Sequence, residues 1–226
     1  MTITKRPHHM AALALTLLAC AATRAAAQNV AQARAISQNE AAAMAKAKAD
    51  SALHPYTNAD VDFMTGMISH HAQAIVMARW APTHGASASV QTLCSRIINA
   101  QRDEILLMQT WLRDRGKPVP DAVPRPMKMI MNGVEHEMLM PGMLTDEQMK
   151  QLDAARGNDF DRRFLTYMIQ HHTGATKMVK DLFDTYGAAQ DDLVFKFASD
   201  VNVDQTTEIA RMQRMLAALV FGVEPK

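Results

Sequence analysis

The sequence predicts an all-α fold: a four-helix bundle made of two repeated helical hairpins, with a small methionine-rich β-hairpin joining them. Three observations lead there. The composition is rich in good helix formers such as Ala, Leu and Met, and poor in aromatics. One stretch of the first half recurs in the second half. Each copy holds two segments with apolar residues at helical spacing, and a lone hairpin cannot bury both stripes.

The 226 residues suffice for one core or two small ones. A net charge of +1 gives no footprint for nucleic acid or for a basic membrane-surface protein. Residues 1–27 read as an export signal. Lys5 and Arg6 start it, an apolar run follows from Met10 to Ala22, and Ala25-Ala26-Ala27 forms a small-residue cleavage site. The run is too short to span a bilayer as a mature helix. An alternative reading takes Leu17-Leu18-Ala19-Cys20 as a lipoprotein box with Cys20 lipidated. Both readings place the mature chain in the periplasm or outside the cell, and no later segment is apolar enough to span. Two cysteines make no disulfide framework, and Cys94 reads as a small buried helix residue.

Residues 28–56 are Ala-rich and polar, an N-terminal arm ending at His54-Pro55. The bundle is expected over residues 57–220: repeat one over 57–116, connector over 117–144, repeat two over 145–220. Thr57 or Asn58 caps the first helix, with Asp60 near its positive end. Pro82 and Gly85 end it. The second helix runs from about Ala88 to Arg115 and stops at Gly116 and Pro118. Thr145 with Gln148 makes a capping box for a further helical stretch, which leads through Gly157 into the helix bearing His171. A break at Tyr186-Gly187 precedes the last helix, from about Asp191 to Leu219.

The repeat aligns Phe63-Met64-Thr65-Gly66-Met67-Ile68-Ser69-His70-His71 with Phe164-Leu165-Thr166-Tyr167-Met168-Ile169-Gln170-His171-His172, and then Met77 with Met178. The partner helices align Gln101, Glu104, Ile105, Met108 and Gln109 with Gln205, Glu208, Ile209, Met212 and Gln213. At 100° per residue, His71 falls on the core stripe with Met64, Met67 and Ile68, and His172 falls with Leu165, Met168 and Ile169. His70 and His171 fall on the flank, with Met77 and Met178, where an exchangeable metal is expected to reach. Glu104 and Glu208 share apolar stripes with Gln101 and Gln205. A carboxylate so placed needs a partner, and the inward histidines are the nearest candidates.

The connector opens with Pro118, Pro120, Pro124 and Pro126. Asn132-Gly133 between two alternating runs signals a two-residue hairpin turn. That turn pairs Met131 with Val134, Met129 with His136 and Met127 with Met138, and sets Lys128 opposite Glu137. The period of two puts Met127, Met129, Met131, His136, Met138 and Met140 on one face. Such a face suits a lid on the bundle. Thioethers with an imidazole also suit Cu(I) or Ag(I).

Eighteen methionines are far above ordinary usage. Methionine fills loose cores, and it is also a soft metal ligand. The candidate metal ligands are His70, His71, His171, His172, Met67, Met77, Met168, Met178, Glu104, Glu208, Met127, Met129, His136 and Met138.

Met67-Ile68-x-His70-His71 with Gln101-x-x-Glu104-Ile105-x-x-Met108, repeated, resembles the DUF305 family, as does Gly142-Met143-Leu144-Thr145 before the second copy. The resemblance covers roughly residues 55–218. It implies a ferritin-like four-helix bundle, usually exported, with some members of the CopM type linked to copper binding and copper resistance. The second copy departs from the first at Leu165 and Thr176, where the first has Met64 and Ile75.

The resulting expectation is an exported, non-enzymatic protein that sequesters Cu(I) or hands it to other exported copper-handling proteins. One alternative is a metal-free scaffold in which the histidines only pack. Another is a ferritin-like oxidoreductase. The dimetal sites of such enzymes use Glu-x-x-His on a helix, and the sequence has none. No Ser-His-Asp set, reactive cysteine site or phosphate loop is evident.

Overall fold

The computed structural model describes residues 28–46, 49, 55–131 and 134–222. The export signal with Cys20, His54, and the Asn132-Gly133 turn lie outside the described residues, as do the side chains of Met129, Met131 and His136. The chain divides near residue 53. Before that point, residues 28–46 form helix α1, which is exposed along its length.

The second unit holds helix α2 (Asn58–Arg79), helix α3 (Ala88–Asp114), strands β1 (Met127–Met131) and β2 (Val134–Met138), and helices α4 (Asp146–Ala154), α5 (Gly157–Asp184) and α6 (Asp192–Phe221). α2 packs on α3 and α5 packs on α6, and the two hairpins meet through α2 and α5. The all-α architecture is as the repeat and the composition predict.

Local chemistry sets the ends. Thr57 and Asp60 form a reciprocal capping box on α2, and Thr145 and Gln148 do the same on α4. Asp60 is fully buried because its other oxygen accepts from the Ala189 N–H at 2.7 Å, beside the turn before α6. Asp191 caps α6, accepts from Trp111 Nε1 at 3.1 Å and pairs with Arg115. These buried acids are satisfied, as burial requires.

α2 lies at the centre. Almost every residue from Phe63 to Ala78 is buried, because α3 covers one side and α5 the other. The strands pair antiparallel, with Met127 opposite Met138 and Lys128 opposite Glu137. After β2 the chain returns to the bundle at Met140, Pro141, Gly142 and Met143. Met140 and Met143 are buried. Gly142 has φ +79°, a left-handed conformation that suits glycine. This segment runs so close over α5 that a Cβ on Gly174 would sit 1.9 Å from the Pro141 carbonyl oxygen. From α2, Gln73 clamps the next residue: its amide donates to Leu144 O at 3.0 Å, and its oxygen accepts from Leu144 N at 2.7 Å.

Candidate metal centre

α2 and α5 bring the two His-His pairs together at the middle of the bundle. His70 and His171 meet ring to ring, with centroids 3.8 Å apart and planes 39° apart. His71 and His172 flank them, at 6.3 Å from His70 and 6.2 Å from His171. All four side chains are fully buried. This corrects the expectation of a solvent-reachable flank for His70 and His171. The flank of α2 is the face that meets α5, and Pro141-Gly142 closes over what remains.

The inward histidines find their glutamates. His71 Nε2 lies 2.7 Å from Glu104 Oε2, and His172 Nε2 lies 2.7 Å from Glu208 Oε2. Only the second contact has hydrogen-bond alignment. His172 Nε2–H donates to the carboxylate there, which leaves Nδ1 as a lone pair. His70 Nε2–H donates to the Pro141 carbonyl at 2.9 Å, and its Nδ1 is likewise left over. Among the described residues, neither Nδ1 has a hydrogen-bond partner. Nor do Nδ1 of His71 and both ring nitrogens of His171. Buried polar atoms are rarely left so. An imidazole that gives one N–H to a carboxylate or carbonyl and keeps the other nitrogen free is arranged as metal-bound histidines are.

Burial, reinforced by the neighbouring rings, pushes the His70 imidazole down to about 3. Burial and then His70 push His171 well below the ordinary histidine range. Both therefore stay neutral at pH 7, the form that can ligate a metal. Asp204 on α6 is pushed up by burial and by the nearby carboxylates Glu104, Asp200 and Glu208, so the glutamates stand in an acidic neighbourhood.

The candidate methionines of the helices belong to the core. Met67, Met77 and Met168 are fully buried, and Met178 is nearly so. Met127 is half-buried and Met138 exposed. Among the described residues, no three His, Cys, Asp or Glu side chains form a ready metal cage.

Several participants were not singled out as site residues from the sequence. Gln101 and Gln205 lie one turn before the two glutamates, and their buried amide oxygens have no partner among the described residues. Their match within the repeat was the available signal. The Pro141 carbonyl and Gln73 were not foreseen, although Pro-Gly marks a turn and Gly174 marks a close backbone approach.

No described helix is long and apolar enough to cross a membrane. The family model described as "Domain of unknown function (DUF305)" matches residues 60–216. A DUF305 protein from Streptomyces coelicolor is similar in structure at TM-score 0.60 and 28% identity, over 71% of this chain and 93% of its own. A DUF305 fragment from Deinococcus radiodurans is similar at TM-score 0.59 and 27% identity, over 72% and 98%. CopM in its Cu(I)-bound form is similar at TM-score 0.52 and 27% identity, over 69% and 94%. CopM has also been solved with Cu(II) and with Ag. No curated protein matches. With a family model spanning most of its length and three such structures of the same architecture, the chain belongs to the DUF305 family.

Proposed function

We propose that this protein binds copper as Cu(I) outside the cytosol and either sequesters it or passes it to other exported copper-handling proteins. The observation that carries this reading is the quartet of buried histidines with partnerless ring nitrogens. His70 and His172 are each held through Nε2, with Nδ1 free. Similarity to CopM, solved with copper and silver, supports it.

In this reading His70, His71, His171 and His172 supply imidazole nitrogens. Met67, Met77, Met168 and Met178 supply thioethers nearby. Glu104 and Glu208 orient His71 and His172 rather than carry the ion. The connector residues Met127, Met129, His136 and Met138 are proposed as further donors on the sequence pattern that puts them on one face. Nitrogen with thioether sulfur favours Cu(I) over harder cations. Export rests on the sequence of residues 1–27, and leaving the cytosol removes the glutathione that would compete for copper.

The His–Glu pairs also favour a second reading, a metal-free bundle in which these residues only fix packing. Native mass spectrometry with Cu(I) separates the two. Retained copper is expected, with loss when the four histidines are changed to Ala. Copper is also expected to raise Tm. No retained metal and an unchanged Tm would leave the packing reading standing.

A further inference from the structure

We propose that the acidic groove between α3 and α6 is the port through which a cation reaches the buried histidines, and that Glu104 is its gate. This rests on the histidine reading above and adds a route to it.

The quartet needs a route, because none of its four side chains reaches solvent. On the connector side the way is closed. Passage there would break the hydrogen bond from His70 to Pro141 and both bonds between Gln73 and Leu144. From α3 and α6 come Glu104 and Glu208, whose side chains are 18% and 24% exposed while each touches a fully buried histidine.

A groove of about 320 Å³ opens beside Glu104. α3 lines it with Glu104 and Leu107, and α6 with Asp200, Val203 and Asp204. Both aspartates are exposed. Lys196, the base in the lining, already pairs with Asp200. Burial and the charges of Glu104, Asp200 and Glu208 push Asp204 up from the ordinary carboxylate range, so these acids share one field. Negative charge in a cleft with apolar walls concentrates cations.

Surface acids are common and by themselves mark nothing. Here a buried group points into them. His71 is fully buried, and its Nε2 lies 2.7 Å from Glu104 Oε2, yet neither atom has a hydrogen-bond partner among the described residues. Glu104 can therefore swing toward the groove without breaking an aligned bond, and the swing uncovers an imidazole nitrogen. Glu208 is held, since His172 donates to it. The first hairpin thus carries the gate and the second a fixed wall. Carboxylate oxygens hold a soft cation loosely. A passage needs such weak sites, because an ion held tightly at the entrance would not move on to the nitrogens.

Ag(I), which does not change oxidation state on binding, is the probe, in nitrate salts. Stopped-flow ultraviolet absorption would time its uptake, and native mass spectrometry would count the ions bound. Asp200→Asn/Asp204→Asn should bind as many ions as the wild type but load about tenfold more slowly at low ionic strength. The gap should close at high salt, where screening removes the attraction. Asp62→Asn/Asp181→Asn is the matched control. It removes two exposed carboxylates from the cavity that Met127, Met138 and Met140 line, and it should load as the wild type does. Glu104→Gln should slow loading more than Glu208→Gln. Circular dichroism would confirm that each variant folds. The port would be overturned by unchanged loading, or fewer bound ions, in Asp200→Asn/Asp204→Asn. Slower loading in the connector-side pair instead, or a larger effect at Glu208, would also overturn it. A wild type that binds no ion would remove the histidine reading on which the port rests.

Discussion

In the first hairpin, His71 and Glu104 stand 2.7 Å apart without hydrogen-bond alignment, and in the second, His172 and Glu208 stand at the same distance and are aligned. The first has Gln73 where the second has Gly174. The first has Gly66 where the second has Tyr167. Residues that meet at the centre, the paired histidines and the glutamates, are the same in both copies. Two positions that meet the connector, 66/167 and 73/174, differ between the copies, while His70, which bonds Pro141, is repeated as His171. The connector is a single segment and cannot offer the same surface to both helices. Gln73 grips Leu144 by two hydrogen bonds, while Gly174 only makes room for Pro141. The lesson is that the residues joining the two copies are kept alike, while at 66/167 and 73/174 the repeat departs where the single connector meets the helices differently.

The sharpest way to break this comparison is Gly174→Ala. The added methyl would lie 1.9 Å from a backbone oxygen, and backbone cannot swing aside as a side-chain tip can. A loss of about 3 kcal/mol is expected, at the upper end of ordinary overpacking. Chemical denaturation would measure it. An unchanged midpoint would mean that the connector does not bear on α5.

Next in size is the pair Glu104→Gln and Glu208→Gln. The glutamine oxygen can still accept from the imidazole, but the charge-assisted bond is weakened, at a cost of about 1 kcal/mol where the pair is aligned. The change at Glu104 should cost less, because its contact lacks alignment. Thermal melts of the two variants would rank them, and a larger loss at Glu104 would reverse the stated difference between the repeats.

The smallest effect concerns Cys94, whose counterpart in the second repeat is Ala198. Cys94→Ala makes the copies alike and should cost about 1 kcal/mol. Burial pushes this thiol from its ordinary 9.0 up to about 12. The folded state therefore keeps its proton where the unfolded state loses it, so this contribution to stability is complete below pH 9 and is lost as pH rises toward 12. Native protein at pH 8 should not react with a thiol reagent, and the variant should show a smaller decline in stability above pH 9. Fast modification of the native thiol would show that Cys94 is reached by solvent.

What could be read from the sequence was local or repeated. Thr57 with Asp60, and Thr145 with Gln148, cap helices by chemistry confined to four residues. The pairing of His71 with Glu104 and of His172 with Glu208 followed from helical phase together with the duplicate. The burial of His70 and His171 did not follow. Phase gives a side chain's angle around its own helix, but not which neighbour covers that angle. α2 is covered on both sides, so core and flank were both interior. The passage of Pro141 over Gly174 was hidden for the same reason: it joins residues far apart in the chain, and no periodicity encodes it.

The contact between His70 and His171 has a further meaning. They are the same residue of the repeat, and they face each other at 3.8 Å. Equivalent residues meet in this way across a two-fold axis, as in a symmetric dimer. This chain thus carries a dimer-like interface inside one polypeptide. A true dimer must spend every mutation twice, once in each subunit. Fusion lifts that constraint, so a glycine can admit the ends of Met127 and Met140 one turn before one histidine while a tyrosine stands at the matching place before the other.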